Sequence, residues 1–109
     1  MEKPYRTDAL RIDLVKPGTW KNIAGVDIVT AIGHRESRRA YTQEALTREE
    51  ISFLLWATQG VRGEVVGGHA DRTVPSAGCR HTFETYLVVL NGEGLDEGVY
   101  RYLPLTHQL

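Results

Sequence analysis

Arg35, Ser37 and Arg39 stand at alternate positions in the stretch RESRRAY, residues 35–41, with Arg38 between them. An extended chain places residues two apart on one face, and a helix brings residues four apart together. Arg35 and Arg39 therefore converge in either conformation, and Ser37 joins them if the chain is extended. Two guanidiniums and a hydroxyl suit a dianionic phosphate, because each planar fork donates to two oxygens at once where a lysine offers a point charge. The alternative is a solvated charged turn, in which Arg38 and Arg39 pair with Glu36 or Glu44 for little energy.

A second stretch, RTVPSAGCRH at residues 72–81, repeats the ingredients. Pro75 stiffens the chain and Ser76 offers a hydroxyl. Ala77 and Gly78 leave backbone amides uncovered for the close approach of an anion or a planar ligand. An ordinary turn before a strand is the competing reading. Cys79, His81 and His69 match no structural zinc spacing, so no metal is expected. A Cys79 nucleophile activated by His81 would need a third, orienting group, and none is identifiable.

The elements that must position these residues can be read from periodicity and punctuation. LRIDLVK alternates, with Leu10, Ile12 and Leu14 on one side if extended, and is stopped by Pro17-Gly18. Residues 1–22 are thus read as an N-terminal docking segment. In NIAGVDIVTAIG, Ala24, Ile28 and Ile32 recur every four residues, with Gly33 placed as a C-cap. The firmest helix spans about 48 to 59: Thr47 caps it, Glu50 completes a capping box, and Leu46 is set to staple onto Ile51. Its apolar face reads as Ile51, Leu54, Leu55 and Thr58, with Trp56 to the side and Gly60 as a left-handed stop.

Residues 61–72 are glycine-rich and aperiodic, which predicts a loop. TYLVVLN is apolar at every second and intervening position, as expected of a strand covered on both faces, and GVYRYLP alternates around Arg101. NGEGLDE is too long for a two-residue turn and suits a wider loop between paired strands. Two helices can barely cover both faces of such a sheet.

Composition narrows the function classes. A chain of 109 residues makes one domain and buries roughly 65% of its unfolded surface on folding. With 41% hydrophobic and 25% charged residues it is an ordinary globular sequence. Its net charge of −1 gives no global field for nucleic acid or an anionic membrane, so any anion site is local. There is no apolar run of spanning length and no basic-then-apolar leader, and the single cysteine suits a reducing, cytoplasmic location.

Taken together, RESRRAYTQEALTREEISFLLWATQG, RTVPSAGCRHTFETYLVV and GVYRYLPLTHQL resemble, over roughly residues 24–109, the N-terminal half of the FMN-dependent nitroreductase family. The likeness is greatest to the SagB-type dehydrogenases, which oxidise azoline rings to azoles. The resemblance implies an α+β nitroreductase fold of half length, its sheet and flanking helices completed by dimerisation. It places Arg35, Ser37 and Arg39 at the FMN phosphate and ribityl chain. Pro75, Ser76, Ala77 and Gly78 fall on the loop laid against the flavin ring, commonly from the other subunit.

The likeness further implies hydride transfer through flavin between a nicotinamide donor, NADH or NADPH, or an azoline-like substrate, and an acceptor. The partner is a second copy or a complementing second-half chain, because an open sheet edge invites pairing. Tyr41 and Tyr86 can line such a site, although tyrosine there more often packs with a satisfied hydroxyl. From a different class, the alternative is a non-catalytic half-domain that binds a partner protein or flavin without turnover.

Overall fold

The computed structural model describes residues 3–67 and 69–109. In chain order the elements are α1 (Ile28–His34), α2 (Arg48–Gln59), a 3-10 turn (Ala77–Cys79), β1 (Tyr86–Val89) and β2 (Gly98–Arg101).

Helix α2 starts and ends where its local chemistry dictates. Thr47 Oγ1 accepts the Glu50 amide at 3.2 Å, and Glu50 Oε2 accepts the Thr47 amide at 2.8 Å, so two orphan donors of the first turn are satisfied reciprocally. Ile51, Ser52 and Leu55 are its buried residues. The buried stripe is therefore rotated from the expected one: Leu54 is 48% exposed and Thr58 is exposed, while Ser52 is fully buried. Ser52 is tolerated there because its hydroxyl donates to Arg48 O at 2.6 Å and accepts the Val15 amide at 2.9 Å.

Gly60 closes α2, but not in the left-handed conformation expected of it. Its φ and ψ are −70° and 159°, an ordinary extended geometry. A glycine is needed for a different reason: a Cβ there would stand 2.3 Å from Trp56 Cδ1 and 2.6 Å from Trp56 O. The carbonyls at this helix end are covered by Arg72, whose Nε and Nη2 both donate to Gln59 O, at 2.9 and 2.6 Å.

Helix α1 is shorter than its periodicity suggests. It begins after Asp27, whose Oδ1 accepts the Thr30 amide at 2.9 Å, and it includes Gly33, ending when Arg35 turns extended at φ −61° and ψ 123°. Gly25 and the β-branched residues before Asp27 lower helix propensity upstream. No residue of α1 is buried. Val26, Ile28, Val29 and Ile32 stay 65%, 74%, 77% and 71% exposed. Among the described elements α1 makes no close backbone approach to any other.

Strands β1 and β2 pair antiparallel, Val88 opposite Val99 and Leu87 opposite Tyr100, across the wide loop expected between them. Only one face is covered, contrary to the two-faced burial expected of TYLVVLN. Val89 is buried and Leu87 partly so, whereas Tyr86 and Val88 are 56% and 64% exposed. The core beneath gathers Leu14, Ile51, Leu55, Val89, Leu95, Tyr102 and Leu109.

Residues outside the helices and strands do much of the closing. Residues 12–14 lie antiparallel to 107–109, with Ile12 N–H donating to Leu109 O at 2.8 Å and Leu109 N–H to Ile12 O at 3.0 Å. Trp20 packs edge-on to Phe53, ring centroids 5.8 Å apart, and 6.2 Å from Trp56. Arg101 is specialised rather than solvated: it pairs with Glu84 at 3.6 Å, donates to Lys3 O at 2.5 Å and sits 5.4 Å from the Tyr5 ring. The first two residues of the expected docking segment lie outside the described residues. Within the glycine-rich stretch 61–72, of which Gly68 also lies outside them, Val61 bridges Arg72 and Val66 bridges His69.

Candidate functional site

Arg35 terminates α1, and the chain from 36 to 41 continues without regular structure, leaving Ser37, Arg38 and Arg39 exposed. The competing reading of this stretch as a paired charged turn holds for one arginine only. Arg38 Nη2 meets Glu36 Oε1 at 2.5 Å. Among the described residues no carboxylate or carbonyl engages the Arg35 or Arg39 guanidinium, and the Ser37 hydroxyl has no partner either. Two fixed positive charges and a hydroxyl therefore face solvent within five residues. That set fits a phosphate, which arginine forks bind in charge-assisted, bidentate fashion.

The second motif builds a tight, open turn. Ser76 is extended at φ −148°, Gly78 takes φ +63° and ψ 21°, and Cys79 N–H donates to Ser76 O at 3.2 Å. Glycine's freedom is required at Gly78, since a positive φ is costly for a side chain. Ser76 Oγ also accepts the His81 amide at 2.9 Å, so its own hydrogen stays available to a ligand. The amides of Ala77 and Gly78 have no acceptor among the described residues.

Beside this turn runs a groove of about 640 Å³ whose lining includes Pro75, Ser76, Ala77, Arg72, Arg80 and Phe83. Its volume is on the scale of clefts that take small organic ligands. Phe83 is 88% exposed, an aromatic face without a protein neighbour large enough to cover it. Gly78, the fourth expected residue of the loop, is not part of that lining. Open amides, an exposed ring and the Arg80 guanidinium fit a planar, anionic group such as a flavin nucleotide.

Cys79 and His81 come together at the far side of the turn. Cys79 Sγ donates to Ala70 O at 3.3 Å and lies 3.9 Å from His81 Nε2. Burial, and then the Arg72 guanidinium, hold the His81 pKa below its ordinary value, which favours a neutral ring. The Ala70 backbone engages both side chains, and among the described residues no carboxylate or amide side chain stands beside His81 as the orienting member of a nucleophilic triad. Among the described residues no three His, Cys, Asp or Glu side chains gather in a way that could hold a metal. Tyr86 lies outward on β1 at 56% exposure and Tyr41 is 85% exposed.

Among the described residues no hydrogen bond or ion pair joins Arg35, Ser37 or Arg39 to the Pro75–Gly78 loop, and α1 makes no close approach to the Ala77–Cys79 turn. Sequence reasoning missed Arg72, Arg80 and Phe83. Arg80 and Phe83 flank the loop closely enough to have been nominated from position, but Arg72 acts through tertiary contacts with Gln59 that no local pattern signals. No helix among the described residues is long and apolar enough to cross a membrane.

The comparisons with known proteins agree with the motifs. The model of the Nitroreductase family matches residues 32–109, a span that holds both Arg35–Arg39 and Pro75–Gly78. A protein of Methanocaldococcus jannaschii named as a nitroreductase is 40% identical over 75 residues, which is 69% of this chain and 36% of that protein. The match spans about a third of that relative's length.

Proposed function

Because this chain belongs to the nitroreductase family, we propose that it forms part of an FMN-dependent oxidoreductase. In this reading Arg35, Ser37 and Arg39 hold the phosphate and ribityl end, and Pro75, Ser76, Ala77 and Gly78 lie against the flavin ring. The observation that carries it is the groove along Pro75–Ala77, open and lined by Arg72, Arg80 and Phe83. Bound FMN supplies hydride chemistry between a nicotinamide donor or an azoline-like substrate and an acceptor, the SagB-type variant being the finer assignment. The chain's own part is placement: guanidiniums neutralise the phosphate, Ser37 and Ser76 donate hydroxyl hydrogens, and the Ala77 and Gly78 amides offer donors to ring heteroatoms.

The site is proposed to straddle two chains, in a homodimer or with a complementing second-half chain. Support comes from the separation of α1 from the Ala77–Cys79 turn and from the uncovered apolar residues of α1 and of the outer face of β1. The test is to incubate the protein with excess FMN, pass it through gel filtration, and record mass and absorbance together. Flavin co-eluting at dimer mass, and bleaching on addition of NADH or NADPH, is the expected result. A colourless dimer would replace this reading with the non-catalytic binding module.

A further inference from the structure

The C-terminal loop turns back onto the N-terminal segment, and one histidine ties the two together. Besides the paired bonds between Ile12 and Leu109, Gln108 Nε2 donates to Asp13 Oδ1 at 2.7 Å. Val15 ends this segment and is gripped from both sides. Its amide donates to the buried Ser52 hydroxyl at 2.9 Å, and its carbonyl lies 2.9 Å from His107 Nε2.

A carbonyl can only accept, so His107 Nε2 carries a hydrogen. The other ring nitrogen, Nδ1, lies 2.9 Å from the Tyr102 hydroxyl. In the neutral ring Nδ1 has a lone pair, and Tyr102 donates to it. Adding a proton to Nδ1 sets donor against donor, unless the fully buried Tyr102 gives up that orientation.

The Val15 carbonyl favours the charged ring, but burial outweighs it. Tyr102 and Trp20 pack edge-on to the ring, with centroids 5.8 and 6.4 Å away. On the facing segment Asp13 takes Gln108 and Lys16 is exposed, and on α2 the neighbouring acid, Glu49, accepts the Lys21 and Asn22 amides. No carboxylate reaches ion-pair distance of His107 among the described residues. Burial accordingly holds the His107 pKa below its ordinary value of 6.5. His107 also has a φ of +54°, an unusual backbone geometry for a residue with a side chain.

We propose that His107 is a proton-sensitive clasp: protonating its imidazole frees residues 12–15 from 107–109 and loosens Tyr102, which with Pro104 and Leu105 walls a cavity of about 90 Å³. Linkage sets the direction. A depressed folded value means that the unfolded or opened chain binds the proton more readily. The clasp is intact above about pH 6.5 and is lost as pH falls through that value toward the lower folded one.

The experiment is hydrogen exchange on the intact chain at about pH 7.5 and about pH 5, corrected for intrinsic rates. Protection of the Ile12 and Val15 amides should drop several-fold relative to the α2 amides as the opened chain takes up the proton. His107→Gln keeps a side-chain donor for the Val15 carbonyl but does not titrate, so its protection should be the same at both pH values. Should that variant fail to fold, an NMR titration of the His107 ring in the parent chain should give a midpoint below 6.5 that coincides with the loss of Ile12 and Val15 protection. Equal protection at both pH values in the parent chain would overturn the clasp, as would an undiminished acid response in His107→Gln or a ring titration that does not track the opening.

Discussion

The region around α2 and the region around α1 use similar residues to opposite ends. Helix α2 has a reciprocal cap, a buried stripe and a closing glycine fitted against Trp56, and residues from both ends of the chain pack onto it. Helix α1 has a good Asp27 cap and four large aliphatic side chains nearby, yet it buries none of its residues and makes no close backbone approach to any other described element. A helix of seven residues gains little from its own cap, and α1 has no buried stripe to add to it. The Arg35 and Arg39 side chains beyond its end are exposed as well. One region carries the core and the other stays at the surface.

That division can be broken or sharpened by substitution. Leu55→Ala, at the centre of the buried stripe, should cost about 2–5 kcal/mol in denaturant unfolding. An equally apolar residue of α1, Ile32→Ala, should change stability by less than about 0.5 kcal/mol in the same assay. Comparable losses at both sites would show that α1 is packed in solution. Gly60→Ala should cost about 1–3 kcal/mol through the clash with Trp56, although its φ of −70° suits alanine. A stabilised variant would mean that the helix end relaxes freely.

Thr47→Ala removes one half of the capping box, and a loss of about 1 kcal/mol is expected by thermal or denaturant unfolding. The smallest stability effect belongs to the paired change Arg35→Ala with Arg39→Ala, within about 0.5 kcal/mol of the parent. Its effect on ligand should be the reverse: FMN retention falls sharply by fluorescence titration. Unchanged FMN affinity would remove the phosphate role from these arginines.

How much of the fold and site was legible in the sequence depended on the range of the interaction. The bounds of α2, its capping box, the strand pair and the wide loop between them are local, and each could be read from residues within a turn or a hairpin of one another. The motifs that identify the family are also contiguous, and the family match covers them. Most of the misreadings turn on how a side chain packs rather than on local pattern. Leu54 and Thr58 looked inward until Val15 claimed the position beside Ser52, and Gly60 looked like a conformational stop until Trp56 filled the space over it. TYLVVLN was expected to be covered twice, but this chain supplies one covering layer.

By itself, then, the sequence determined the family, the helix and strand segments and the two candidate binding motifs, because capping, periodicity and contiguous motifs act over a few residues. Tertiary structure alone decided which arginines are spent on the fold and which remain free. Arg101 is tied to Glu84 and the N-terminal carbonyls and Arg72 to Gln59, while Arg35 and Arg39 are left to solvent. It also decided that His107, an unremarked residue in LTHQL, is held as a neutral ring between Tyr102 and Val15. Hydrogen bonds between residues some ninety positions apart leave no trace in local pattern, since either partner reads alone as an ordinary polar or backbone group.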